Sequence, residues 1–399
     1  MNTFEMNGQK NTQPQCIAVE LPTGLMELSV DAGSFSVDEL IGFAARANNK
    51  RGFLFLSKVL GKHWPVSPAL MRKVHVDLAS KLPLNLPEPV VFIAMAETAI
   101  GLGQGVFEAY KDANPEGDAL FLHTTRYCVD GSETIEFEEA HSHAPRQFLH
   151  MPLDDVLRNT LLNARCLVLV DDEASTGNTF LNLSNACRML NPNIERVHLV
   201  AITNFMGQAA NDALSERFGV TVSIAAALNG EYSFIPRQLQ QSAGTAQVFE
   251  AHADRGASAC FGRLGVNSLL PIPLALAQSL AAGICLDERV LVLGTGEFMH
   301  MAFLLGRGLE ALGINVVVQS TTRSPILQWG AISHVLSFPD NYKEGVANYI
   351  YNVTQGQYDH VLICHETPPN DALHKLARAV DGRLFYFLSE NHIEEIFVR

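Results

Sequence analysis

Leu167-Val168-Leu169-Val170-Asp171-Asp172-Glu173-Ala174-Ser175-Thr176-Gly177-Asn178-Thr179 runs from four apolar residues into two adjacent acids, then into small hydroxyl residues around a glycine. The apolar run reads as a buried parallel strand, and Phe180, Leu183, Cys187 and Leu190 continue at helical spacing, so the segment is a strand–turn–helix unit. Small residues at such a junction leave backbone N–H groups pointing outward, which makes a phosphate cradle. Ser175, Thr176 and Thr179 add hydroxyls, and Gly177 permits a turn that a side chain would hinder. Two carboxylates just before the cradle suit sugar hydroxyls or a magnesium ion. A plain helix cap needs one hydroxyl or acid, not this series. A ligand with a phosphate at one end and a ribose diol beside it fits the whole stretch.

Working outward, the same rhythm recurs. Apolar runs at 52–57, 90–96, 119–125, 197–203 and 220–226 predict further strands, with helical patterns in most gaps. Ser36-Val37-Asp38-Glu39 has the form of a capping box, and Val37, Leu40, Ile41 and Ala44 predict a first helix behind it. The stretch 127–147 shows neither helical nor strand period. It carries Asp130, Glu133, Glu136, Glu138 and Glu139 and then His141-Ser142-His143, which reads as a solvated loop rather than a metal site. A connection of that length is rare in a compact domain unless it is functional or mobile. The rhythm breaks at 236–267, and a second alternating block follows with strands expected at 289–293, 315–319, 360–364 and 383–388. The expected organisation is an N-terminal extension (1–30), a first α/β domain (31–235), a linker or extension (236–267) and a second α/β domain (268–399).

Composition narrows the function. Of 399 residues, 47% are hydrophobic and 18% charged, a globular balance. The formal charge of −14 opposes a nucleic-acid surface, since phosphate contacts need clustered Lys and Arg. No apolar run is long enough for a membrane span, and the polar N-terminus lacks the apolar core of a secretory signal. Seven scattered cysteines without a Cys-x-x-Cys pair suit a reducing cytoplasm.

The stretch 167–179 resembles the phosphoribosyl pyrophosphate (PRPP) motif of type I phosphoribosyltransferases. The resemblance implies that Asp171 and Asp172 hold the ribose and that the following loop, through Glu173, Ala174, Ser175, Thr176, Gly177, Asn178 and Thr179, holds the 5′-phosphate. Magnesium would be the cofactor, carried mainly by PRPP and reached by Asp171 or Asp172. Ser57-Lys58-Val59-Leu60-Gly61-Lys62 follows an upstream strand where such enzymes bind pyrophosphate; a basic surface turn is the other reading. Glu97-Thr98-Ala99-Ile100-Gly101-Leu102-Gly103 falls where the family places small residues near PRPP, and close helix packing explains its glycines equally well. The stretch 126–147 stands where the family's mobile catalytic loop belongs. Arg126 matches it, whereas the acidic loop with His141, His143 and Arg146 departs from the usual lysine-rich form. Asp171, Asp172, Arg126 and Lys58 are thus the expected catalytic residues.

With Arg51-Gly52-Phe53-Leu54-Phe55, Lys58-Val59-Leu60-Gly61-Lys62-His63 and Thr322-Arg323-Ser324-Pro325 added, most of the chain resembles a two-domain bacterial family of tellurium-resistance and stress-response clusters. In it an orotate-phosphoribosyltransferase-like domain precedes a TRSP domain. The resemblance implies an α/β, parallel-sheet type I phosphoribosyltransferase fold followed by a second Rossmann-like α/β domain. It also implies transfer of phosphoribose from PRPP to an unidentified small acceptor, with a nucleoside-like product and a homodimeric assembly. A PRPP sensor without turnover is the alternative. In the second domain, position alone offers a candidate site: Glu297, Thr322, Arg323, Ser324, His365 and Glu366 follow three strands expected to lie side by side. Ordinary turn chemistry also favours such residues.

Overall fold

The computed structural model describes residues 14–46, 51–127, 129, 131–138, 146–237 and 257–397. The chain opens with a hairpin, β1 (Gln15–Leu21) and β2 (Gly24–Val30), a single turn α1 (Val37–Leu40), and a second hairpin, β3 (Ile41–Ala45) and β4 (Phe53–Ser57). Then come α2 (Pro68–Ser80), β5 (Val90–Ala94), α3 (Ile100–Ala113), β6 (Ala119–His123) and a third hairpin, β7 (Thr134–Glu138) and β8 (Arg146–His150). The first domain ends with α4 (Asp155–Leu162), β9 (Cys166–Ala174), α5 (Asn178–Leu190), β10 (Arg196–Asn204), α6 (Gln208–Asp212), α7 (Leu214–Phe218) and β11 (Thr221–Pro236). The second domain holds α8 (Leu274–Ala281), β12 (Arg289–Gly294), α9 (His300–Ala311), β13 (Asn315–Ser320), β14 (Val335–Pro339) and β15 (Ala347–Tyr351). It closes with β16 (His360–His365), α10 (Asp371–Val380), β17 (Gly382–Ser389) and β18 (His392–Ile396).

The apolar runs form the sheets as expected, because strands covered on both faces must be apolar throughout. Val90, Val91, Phe92 and Ile93 are fully buried, as are Leu167 to Val170. Strand order in the first sheet is β1-β2-β11-β10-β9-β5-β6, with β11 to β6 parallel and β1–β2 antiparallel at one edge. The segment 15–30, read from sequence as part of an extension, therefore extends the sheet. The long β11 serves both halves, pairing with β10 through Asn229 and with β2 from Gly230 on. Gly230 is required there: a Cβ would lie 2.2 Å from the Ser29 carbonyl oxygen. The second sheet runs β13-β12-β16-β17-β18, parallel except for β18.

Two expectations are corrected. The Ser36 capping box forms, with Ser36 N–H donating to Glu39 at 2.8 Å, but the helix stops at Leu40. Ile41–Ala45 is instead a strand, because it pairs along its whole length with the aromatic β4. The 127–147 stretch holds a hairpin where no period was visible; Ile135 and Phe137 alternate inward against exposed Thr134 and Glu136. His141, Ser142 and His143 lie outside the described residues.

The two domains share apolar packing. Val66 and Met71 of the first are buried in one cluster with Phe303, Leu305 and Val318 of the second. Val66 and Val318 also exchange backbone hydrogen bonds of 3.1 and 2.8 Å. No helix among the described residues is long and apolar enough to cross a membrane.

Candidate active site at the domain junction

Strand order reverses between β5 and β9, since β6 lies beyond β5 while β10 and β11 lie beyond β9. Open α/β sheets hold ligands outside the carboxyl ends of the strands at such a point. Here β9 outruns its neighbour: its register with β5 ends at Ala94–Val170, whereas that with β10 reaches Asn204–Ala174. Asp171 and Asp172 thus emerge with one edge uncovered. The Asp172 N–H donates to the Asp171 carboxylate at 2.9 Å, and Thr98, from the loop after β5, donates to Asp172 at 3.2 Å across the reversal.

The loop after Asp172 is braced from outside. The Ala174 carbonyl accepts from Phe205 N–H at 2.8 Å, and Gly177 adopts φ +70° as the residue before α5. Gly177 offers α5 no side-chain cap, and the Asn178 N–H donates to the Thr176 hydroxyl at 3.4 Å, so the positive end of the helix meets the loop. Arg217 of α7 donates to the Thr176 carbonyl at 2.6 Å and to the Asn178 side chain. Thr176 is exposed; Ser175 and Thr179 are partly so. Glu173 turns the other way, 2.5 Å from Arg51, where burial pushes its carboxyl up despite that partner.

The two predicted lysines part company. Lys58 donates to the Asp38 carbonyl at 2.9 Å, beside the first helical turn. Val59 and Leu60 enter the core, Gly61 takes φ +67°, and Lys62 is fully buried. Its ammonium lies 2.7 Å from Glu97 and donates to the Gly296 carbonyl of the second domain at 2.7 Å. Burial raises the Glu97 carboxyl, but Lys62 and Arg323 outweigh it and hold the group below its ordinary range. Gln147 of β8 fastens this corner, donating to the Ala96 carbonyl at 3.0 Å and accepting from Thr124 at 2.5 Å. The Arg126 N–H donates to Glu297 at 2.8 Å, so Arg126 too stands at the junction.

The second domain reverses order between β12 and β16, with β13 and β17 on opposite sides. The three strands expected side by side are neighbours, and Glu297 and Glu366 follow β12 and β16. The space between them is filled by Arg263, which is buried. It donates to both oxygens of Glu366 at 2.8 and 2.9 Å and to Glu297 at 3.2 Å. Glu297 also accepts from Thr125 at 2.6 Å, and Tyr342 donates to Glu366 at 2.9 Å. His365 stands apart: it stacks on Tyr386 at 5.4 Å, and burial pushes its ring down to about 4.

Thr322, Arg323 and Ser324 lie against the first domain. Thr322 exchanges backbone bonds of 3.0 and 2.7 Å with Tyr349, and Ser324 accepts from Arg46 at 3.0 Å. Arg323 sits 4.7 Å over the ring of Tyr127, 2.7 Å from Glu344 and 4.0 Å from Glu97. Tyr127 in turn stacks on Tyr342 at 4.3 Å. The two candidate sites of the sequence reading are therefore adjacent parts of one junction. Sequence reasoning missed Arg263, Arg46, Tyr342 and Glu344. Only Arg263 left a trace, as the single basic residue in an otherwise neutral stretch, 258–265.

Comparison with known proteins identifies the family. Residues 40–231 match the model of a family described as phosphoribosyl transferase, and residues 273–380 match that of the TRSP domain found C-terminal to it. The chain belongs to this two-domain phosphoribosyltransferase family. No curated protein matches the chain. Among solved structures it is similar to the adenine phosphoribosyltransferase of Leishmania donovani (12% identity, 48% of this chain and 80% of that one, TM-score 0.33). It is also similar to the Trypanosoma brucei adenine phosphoribosyltransferase (12% identity, 48% and 77%, TM-score 0.32). A third is the Mycobacterium tuberculosis orotate phosphoribosyltransferase (14% identity, 48% and 91%, TM-score 0.27). Likenesses this remote bear neither on the acceptor nor on residue roles. The phosphoribosyltransferase domain thus carries the open strand reversal, and the TRSP domain leans Arg323 and Glu297 against it.

Proposed function

We propose that the phosphoribosyltransferase domain binds magnesium–PRPP at the β5/β9 reversal and transfers phosphoribose to a nucleobase-like or other small acceptor. The observation that carries this reading is the Thr98–Asp172 contact across the reversal, beside an α5 terminus whose cap residue is Gly177. The 5′-phosphate would accept from the N-terminal N–H groups of α5 and from the Ser175, Thr176 and Thr179 hydroxyls. Asp171 and Asp172 would accept from the ribose hydroxyls, with Gly177 and Asn178 shaping the loop, Ala174 anchoring it and Glu173 held by Arg51. In the transfer, the C1–oxygen bond breaks with its electron pair leaving on diphosphate, while an acceptor lone pair forms the new bond to C1. The acceptor's proton passes to solvent or to the diphosphate. Positive charge develops on the ribose, so the adjacent carboxylates stabilise the transition state electrostatically.

Lys58 is better placed than Lys62 to meet the leaving group, because it is partly exposed and gives up only the Asp38 carbonyl. Lys62 is fully buried on Glu97 and the Gly296 carbonyl, and Arg126 stands at the same junction. Magnesium fits this donor set, since the carboxylates of Asp171 and Asp172 are the hard oxygen ligands it prefers. Bound with the substrate, it would neutralise the departing diphosphate. We place the reaction in the cytoplasm, in line with the free thiols of Cys166, Cys187 and Cys364, and assign it to formation of a nucleoside-like metabolite by a homodimer.

The test is pyrophosphate release from magnesium–PRPP with a panel of nucleobases and amines, comparing the wild type with Asp171→Asn/Asp172→Asn. Release that requires one acceptor and falls at least about 100-fold in the double variant supports the transfer. Tight PRPP binding with no release for any acceptor would replace transfer by a sensing role.

A further inference from the structure

The stretch after β13 belongs to the TRSP domain by sequence but lies on the phosphoribosyltransferase crevice. Thr322 is locked to β15 by its paired backbone bonds, and Ser324 is held by Arg46. Between these two anchors Arg323 projects over Tyr127, which follows β6, toward Glu97, which follows β5. Thr98, the next residue along, touches Asp172. If the 5′-phosphate sits on α5 and the ribose on Asp171 and Asp172, the far end of the substrate extends past Thr98 toward Glu97. Arg323 stands there.

We propose that Arg323 of the TRSP domain is a substrate-contacting residue of the phosphoribosyltransferase site, binding the diphosphate group of PRPP. The inference rests on the PRPP reading above and deepens it. The Arg323 side chain is 13% exposed, which leaves an anion a way to it, and its fork matches two phosphate oxygens in one plane. Its partners now are carboxylates: Glu344 at 2.7 Å and Glu97 at 4.0 Å. Glu344 is the one a phosphate would displace, because burial already pushes its carboxyl up and makes its charged form costly. Glu97 keeps Lys62 when Arg323 turns to the substrate, so no buried acid is left alone. On transfer, the electron pair of the broken C1–oxygen bond resides on the diphosphate, and Arg323 balances that charge without exchanging a proton. Stacking on Tyr127 fixes the fork in advance, which limits the reorganisation needed at that moment.

The experiment is equilibrium binding to the full chain with magnesium, using PRPP, inorganic pyrophosphate and ribose 5-phosphate as probes. Wild type, Arg323→Gln, Arg323→Lys and Glu344→Gln are compared, with thermal melts confirming that each is folded. Arg323→Gln is expected to weaken PRPP and pyrophosphate by roughly 10- to 100-fold, the size of one charge-assisted contact, and to leave ribose 5-phosphate unchanged. Arg323→Lys should recover part of the loss, and Glu344→Gln should tighten PRPP. A merely structural clamp predicts otherwise. Equal losses for all three probes in Arg323→Gln, unchanged pyrophosphate binding, or weakening in Glu344→Gln would each overturn the role of Arg323 alone. A wild type that binds neither PRPP nor ribose 5-phosphate would overturn the PRPP reading and this inference with it.

Discussion

The chain contains two strand reversals of the same kind, and they are finished differently. Between β5 and β9 a hydroxyl–carboxylate contact of 3.2 Å crosses the gap, and Asp171, Asp172 and Thr179 stay partly exposed. Between β12 and β16 it is filled by a buried arginine held by two carboxylates, one of which also grips Thr125 of the other domain. The same topology thus leaves one reversal open, where we propose the ligand site, and turns the other into a docking joint. Fold alone does not decide function; the groups at the strand ends do.

The largest effect is expected where the second reversal is filled. Arg263→Met leaves Glu297 and Glu366 buried without their cation, which costs about 3–5 kcal/mol. Denaturant unfolding should show that loss, and adding Glu297→Gln and Glu366→Gln should restore most of it, because an uncharged cluster needs no counterion. At the first reversal, Asp172→Asn should change stability by no more than about 1 kcal/mol, since a partly exposed acid there is held by one hydroxyl. If Arg263→Met were equally mild, the second reversal would be a ligand site awaiting its anion, and the contrast would collapse.

Acid sharpens the comparison. Each sheet ends a strand in a buried histidine: His123 on β6, pushed by burial down to about 3, and His365 on β16, pushed down to about 4. Both folded values lie below the ordinary 6.5, so the unfolded chain takes up protons first. The stability these rings provide is present above pH 6.5 and is lost as pH falls toward 4 and then 3. In that window each contributes a slope of about 1.4 kcal/mol per pH unit. His123→Asn and His365→Gln should each remove one such slope from unfolding measured between pH 6 and 5. The charge of Arg263 helps to depress His123 but has no part at His365. Imidazole titration by NMR in Arg263→Met should therefore show only the first ring rising.

How much of this was legible follows from the range of the interactions. Buried parallel strands must be apolar from end to end, so Val90, Leu167 and Val290 announced their sheets directly. Asp171, Asp172 and the loop to Thr179 form one contiguous stretch, so local chemistry suffices to propose a ligand for it. Ile41–Ala45 misled because its apolar spacing suits either period, and only the partner β4 decides between them. Arg263 was out of reach for a stronger reason. Its partners lie 34 and 103 residues away, and nothing near it in the chain signals two carboxylates. The approach of Arg323 to Tyr127 likewise depends on how two domains dock, which no local pattern encodes.

The smallest expected effect tests the open reversal from its outer side. Arg217 braces the loop proposed to hold the 5′-phosphate through the Thr176 carbonyl and the Asn178 side chain, both near solvent. Water can replace these bonds in Arg217→Ala, so the fold should lose about 1 kcal/mol or less. The loop, however, must be ordered again at each binding event, and that cost falls on the ligand. Ribose 5-phosphate affinity should drop by several-fold, roughly the same 1 kcal/mol, while pyrophosphate affinity stays put. This is the mirror image of the pattern expected for Arg323→Gln, which strikes the diphosphate end alone. Should Arg217→Ala leave ribose 5-phosphate untouched, Gly177 and the α5 terminus would be holding the loop unaided. Should it weaken pyrophosphate instead, the substrate would lie in the crevice with its ends exchanged, and Arg323 would face the 5′-phosphate.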